Sequence, residues 1–146
     1  MEHECRKGID SIGVCIVFSC HDGAGNYVLA KRTEQCRDEH GTWEPGSGAV
    51  ELGDSPIDTL TKEIQEEYGT TPISYEFMGY RDMHREHQGK KTHWIALDYR
   101  VLVDPSTVRN MEPHKHDEIG WFKLGEFPEP LHSQYPAYLE KYKGIL

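Results

Sequence analysis

Several things are missing from this chain of 146 residues, and each absence removes a class of function. No apolar run approaches the roughly 20 residues that cross a bilayer as a helix. The polar start, MEHECRKGID, lacks the hydrophobic stretch of a secretion signal, so cytoplasmic residence without membrane contact is expected. Basic residues are scarce: 16 Lys and Arg stand against 25 Asp and Glu, a net charge of −9. Long nucleic-acid polymers are therefore poor partners, since binding them rests on neutralising phosphates. The four cysteines, Cys5, Cys15, Cys20 and Cys36, show neither CxxC nor zinc-knuckle spacing. Cys15 lies in an apolar stretch and reads as a buried free thiol. His84-x2-His87 and His114-x-His116 are the tight histidine pairs, and both read as exposed loop residues. Phosphate loop, dinucleotide fingerprint and nucleophile elbow are all lacking. HDGAGN at His21–Asn26 has glycines but no P-loop lysine, and is a turn. Without repeats or a linker, one α/β domain over residues 1–146 is expected.

What is present alternates. IGVCIVF (Ile12–Phe18) predicts a buried strand, Asp22–Asn26 a hairpin turn, and YVLAK (Tyr27–Lys31) the returning strand. Thr33–Thr42 reads as a loop leading to the small-residue turn WEPGSG at Trp43–Gly48. Strands are predicted at Ile73–Tyr80, Trp94–Val103 and Ile119–Lys123, with a polar hairpin tip at His84–Lys91 and a charged loop at Met111–Glu118. Ser133 is expected to cap a last helix through Tyr142.

Between them lies the most informative stretch, GAVELGDSPIDTLTKEIQEEYGT, from Gly48 to Thr70. Ser55 can cap a helix, Pro56 suits its first position, and Gly69 can end it in a left-handed turn. Ile57, Leu60, Ile64 and Tyr68 form one apolar stripe. Glu63, Glu66 and Glu67 share the neighbouring face, near the end of the helix dipole that disfavours anions. Such an arrangement opposes itself unless a divalent cation intervenes, and hard oxygen ligands suit Mg²⁺ or Mn²⁺. Lys62 can pair with Asp58 or Glu66, each four residues away.

Gly48, five residues, Asp54, seven residues, then Lys62-Glu63-Ile64-Gln65-Glu66-Glu67-Tyr68-Gly69 closely resembles the signature of the Nudix hydrolases. That pattern is G-x5-E-x7-R-E-U-x-E-E-x-G-U, with U aliphatic. Asp54 for Glu, Lys62 for Arg and Thr70 for the aliphatic residue depart from it. The resemblance implies a MutT-like, single-domain protein with an α/β/α sandwich around a mixed sheet. It implies that Glu63, Glu66 and Glu67, with a backbone carbonyl of the Ser47–Gly48 turn, hold Mg²⁺ or Mn²⁺ and carry catalysis. Asp54 and Lys62 match the pair that orients those carboxylates in relatives, and Arg32 matches a basic residue facing substrate phosphates. Relatives also use a carboxylate from a late loop; Glu112, Asp117 and Glu118 all qualify, and Glu118 is taken with Arg32 as substrate-facing.

The implied activity is hydrolysis of a nucleoside diphosphate linked to another moiety, a nucleoside triphosphate first. ADP-ribose, nucleotide sugars and dinucleoside polyphosphates are the alternatives. Some subfamilies carry a telltale Pro or Tyr about sixteen residues beyond the box, where this chain has His84–Glu86. A base could stack on Trp94, Tyr80 or Phe77. The partner would be a small nucleotide, and family members also form homodimers. The three departures motivate a second reading, a catalytically weak nucleotide-binding sensor.

Overall fold

The computed structural model describes residues 4–146; the first three residues of the polar start lie outside it. Seven strands form one mixed sheet: β1 (Gly13–His21), β2 (Asn26–Arg32), β3 (Trp43–Glu44), β4 (Gly46–Ala49), β5 (Ser74–His87), β6 (Lys90–Leu102) and β7 (His116–Lys123). The order is β3-β2-β1-β6-β5, with β4 also paired to β1 and β7 to β2. The β1–β6 pair is parallel and the other pairs are antiparallel.

Helix α1 (Pro56–Tyr68) packs on one face and α2 (Tyr135–Lys141) on the other. Strand periodicity divides β1 between them. Ile16, Phe18 and Cys20 join Leu60, Ile64 and Tyr68 of α1, while Val17 meets Tyr135, Tyr138 and Tyr142 on the opposite side. Ser19, also on that side, hydrogen-bonds the Tyr138 hydroxyl. The expected sandwich is what forms.

α1 forms where its punctuation places it. Ser55 Oγ accepts from the Asp58 N–H at 3.0 Å, and Gly69 closes the helix at φ 70° with its N–H on the Gln65 carbonyl. Leu60 and Ile64 are fully buried. Burying each is worth about 1.5–3 kcal/mol, against about 0.2–0.5 kcal/mol for each like-charge pair on the helix surface. Packing therefore decides that the helix forms despite its carboxylates. Thr70, where the signature has an aliphatic residue, is buried with its hydroxyl 2.6 Å from that of Thr107, so a hydrogen bond replaces apolar packing.

Four expectations are corrected. Gly46–Ala49 is not a turn but strand β4, paired to β1 from Phe18 back to Cys15. The polar hairpin tip shrinks to Gln88–Gly89, because β5 and β6 stay in register out to His87 and Lys90. Ser133 does not cap α2. Its N–H and hydroxyl both go to the Glu39 carboxylate at 2.7 Å, and Gln134 begins the helix without a side-chain cap. His116 is buried at the start of β7 rather than exposed in a loop.

A register shift between Phe77 and Gly79 exchanges the two faces of β5. Before it, Tyr75 and Phe77 lie against Tyr99, on the α1 face. After it, the odd residues turn to the α2 face, so Arg81, Met83 and Arg85 line a cleft beside Tyr138.

Candidate active site

The three glutamates of α1 sit in three environments. Glu66 is exposed, Glu63 is half-buried, and Glu67 is buried beside Tyr68 at the end of the helix. Strand β4 passes close beside them. A Cβ built on Gly48 would lie 2.2 Å from Glu63 Cδ and 2.4 Å from its Cγ, so only glycine allows this approach. Ser47, one residue earlier, opposes Val17 of β1 and lines a cavity of about 410 Å³ together with Glu67, Glu44, Arg32, Arg37 and Lys115. A second cavity of about 310 Å³ shares Ser47, Glu44, Arg32 and Arg37, and extends to Arg81, Arg85, Tyr135 and Tyr138. The two make one groove from the buried glutamate to α2.

Of the three late acids, the structure brings Glu112 to the glutamates. The Arg109 N–H donates to the Tyr68 carbonyl at 2.9 Å, and Met111 N–H to that of Glu67 at 3.2 Å. Asn110 then accepts from the Glu112 N–H and donates to the His116 carbonyl, fixing the loop. Asp117 and Glu118 are exposed, with Glu118 opposite Lys31 across the β2–β7 pair, and neither lines the groove.

Electrostatics single out Glu67. Burial, then the charges of Glu112, Glu63 and Glu44, push its carboxyl well above the ordinary range. Glu63 is raised as well, by burial and then by Glu66. Glu67 Oε2 is buried without a hydrogen-bond partner among the described residues, and Oε1 stands 4.0 Å from His116 Nε2, too far for a hydrogen bond. An unsatisfied buried group of this kind costs about 1–3 kcal/mol. An orphaned carboxylate oxygen, neighbouring carboxylates and a glycine-smoothed strand are what a small hard cation requires, so these residues fit Mg²⁺ or Mn²⁺.

The supporting residues stand apart. Asp54 is exposed, and its N–H donates to the Glu51 carbonyl at 3.0 Å. Lys62 makes no ion pair with Asp58, Glu66 or Asp54 among the described residues; its charge acts on Glu63, partly offsetting the upward shift from burial and Glu66. Arg32 faces the groove, but Glu44 at 2.8 Å and Asp38 at 3.0 Å already occupy its guanidinium. Arg37 and Lys115 line the same groove with more than half of each side chain exposed. Sequence reasoning missed both, because a basic residue in a polar loop carries no local signal. The aromatic expectation is also corrected. Trp94 packs beneath Gly8 and Gly13, Tyr80 and Phe77 lie outside the groove, and Tyr135 and Tyr138 line it instead.

The NUDIX domain profile matches residues 10–142, and the chain belongs to that family of hydrolases. The MutT NUDIX hydrolase of Burkholderia pseudomallei superposes with a TM-score of 0.78 at 26% identity, over 90% of this chain and 98% of that one. The RNA pyrophosphohydrolase of Acidiphilium cryptum (strain JF-5) is 26% identical over 120 residues, 72% of this chain and 71% of that protein. The NUDIX domain of Shewanella oneidensis NrtR, solved with ADP ribose, shares the fold at TM-score 0.72 and 13% identity, covering 92% of this chain and 88% of that one. Among the described residues no helix is long and apolar enough to cross a membrane.

Gly48→Ala tests the cradle. The new methyl must displace Glu63, so activity should fall about 10–100-fold, the usual cost of disturbing the support of metal ligands. Steady-state kinetics at varied Mg²⁺, with the far-ultraviolet spectrum unchanged, checks this.

Proposed function

We propose that this chain is a divalent-metal-dependent pyrophosphohydrolase that cleaves a nucleoside diphosphate linked to another moiety, with a nucleoside triphosphate as first choice. The carrying observation is the buried Glu67 carboxylate, with Oε2 unpartnered among the described residues, at the end of a groove lined with cationic side chains. Glu63, Glu66 and Glu67, with a carbonyl of Ser47–Gly48, would hold Mg²⁺ or Mn²⁺. When bound, the metal supplies Lewis-acid stabilisation of charge on the phosphoryl oxygens.

The chain's own residues do the rest. Arg37 and Lys115 attract the phosphates, Arg32 with Glu44 and Asp38 shapes the groove, and Tyr135 and Tyr138 offer an apolar wall for a base. Water forms the new bond to phosphorus, the bridging P–O bond breaks, and the water proton passes to a carboxylate of the α1 cluster or to Glu112. Glu118 and Asp54 remain peripheral in this reading, while Lys62 eases repulsion at Glu63. The four unpaired cysteines suit a reducing cytoplasm.

The test is a panel of nucleoside triphosphates, ADP-ribose, nucleotide sugars, dinucleoside polyphosphates and a 5′-triphosphorylated RNA, assayed with Mg²⁺ or Mn²⁺. The RNA is included because of the Acidiphilium relative, although a net charge of −9 argues against it. Metal-dependent turnover of nucleoside triphosphates is expected. Nucleotide binding without turnover of any compound would support a sensor instead.

A further inference from the structure

A second cluster of metal-ligating side chains lies away from the groove, on the β5–β6 hairpin. His84 and His93 are directly opposed across the two strands, and Asp82 is two residues before His84, so all three share one face. The imidazoles stack with centroids 4.0 Å apart and planes at 27°. Both Nε2 atoms converge on the two oxygens of one carboxylate: His84 on Asp82 Oδ2 at 3.1 Å, His93 on Oδ1 at 2.6 Å. One ligand atom from each residue lies within 4.8 Å of the others.

From this geometry we propose that Asp82, His84 and His93 form a binding site for a borderline transition-metal ion, with Zn²⁺ as the reference and solvent in the remaining position. Zinc takes imidazole nitrogen and carboxylate oxygen at about 2.0–2.2 Å in tetrahedral geometry, which sets neighbouring ligand atoms about 3.3 Å apart. The His84–Asp82 contact at 3.1 Å is already near that spacing, whereas His93, partly buried and 2.6 Å from Asp82, would have to draw back by less than 1 Å, on the order of the difference from the zinc spacing. Arg and Lys are absent from the partners of Asp82 among the described residues, so a metal would not have to displace an ion pair with either. The donor set is also unlike that of the glutamates. Two imidazoles and one carboxylate suit Zn²⁺, whereas Mg²⁺ demands oxygen ligands in an octahedron.

The site's position gives it a consequence. On the other face of the same strand, Arg81, Met83 and Arg85 line the groove. A metal joining β5 to β6 at 82, 84 and 93 would brace the groove wall from behind.

The protein, stripped of metal and then saturated with Mg²⁺ to fill the carboxylate site, is titrated with Zn²⁺ by calorimetry and with Co²⁺ by visible absorption. One equivalent should bind, with d–d bands from Co²⁺ and a rise in Tm. His84→Ala/His93→Ala should lose that equivalent and its bands, and its Tm should no longer rise with Zn²⁺; His84→Ala alone, at a largely exposed position, should keep the metal-free Tm. Each single variant should weaken Zn²⁺ by more than the roughly 10- to 100-fold that loss of an outer-shell partner costs. The same stoichiometry and spectrum in wild type and double variant would overturn the proposal.

Discussion

Glu67→Gln should lower kcat by about 10²–10⁴-fold, the range spanned by loss of a positioned acid–base group, while making the metal-free protein more stable. The two effects have one origin. Glu67 is buried, its carboxyl is raised by burial and then by Glu112, Glu63 and Glu44, and one of its oxygens has no partner among the described residues. A neutral amide of the same shape removes the repulsion at neutral pH, so the Tm of the metal-free protein should rise. Activity with saturating Mg²⁺ and Tm in EDTA are the paired readouts. A variant that lost activity and also lost stability would mean that Glu67 is held by contacts other than a cation.

Asp98→Ala should be the most damaging change outside that cluster. Asp98 is fully buried and accepts from Arg81 Nε at 2.7 Å and Nη2 at 2.9 Å, with the Tyr142 hydroxyl as a third donor. Removing one partner of a buried pair costs about 3–5 kcal/mol, because the other charge is left uncompensated. Arg81 also lies 4.8 Å from the centre of the Tyr138 ring, so the groove wall loosens with it. Denaturant unfolding of Asp98→Ala, Arg81→Met and the double variant checks this. The double variant should be far more stable than the sum of the singles implies, since it removes both charges. Additive losses would show that the two residues act separately.

These two sites were unequally legible from the amino acids. The α1 cluster was readable because caps, apolar stripe and glutamate spacing are local, all set within Gly48–Thr70. Asp98 gave no signal; its importance comes from Arg81 across the sheet and from Tyr142 at the end of α2. The same contrast explains the errors. The glycines of Gly46–Ala49 look like a turn until β1 supplies a pairing partner and Glu63 a reason for Gly48. Ser133 looks like a cap until Glu39, 94 residues away, takes both of its donors. The choice among Glu112, Asp117 and Glu118 depended on Asn110 and on the carbonyls of Glu67 and Tyr68, which stitch one end of that loop to α1. The face on which His84 and Arg85 emerge depends on the register shift after Phe77, which alternation along the strand cannot reveal.

The most direct test of a carboxylate cluster built for a cation is the Tm difference between wild type and Glu67→Gln as a function of pH, with and without Mg²⁺. A carboxyl raised on folding contributes its stability below its ordinary pKa of 4.5 and loses it as pH rises through the folded value. Buried histidines remote from Glu67 cancel in the difference, and His116, 4.0 Å away, is controlled by repeating the comparison in a His116→Gln background. In EDTA, the variant's advantage should be near zero at pH 4.5 and grow as pH rises. Mg²⁺ should abolish or reverse it at high pH, because only the wild type then gains a ligand for the ion. A difference that stays flat with pH and ignores Mg²⁺ would contradict the account.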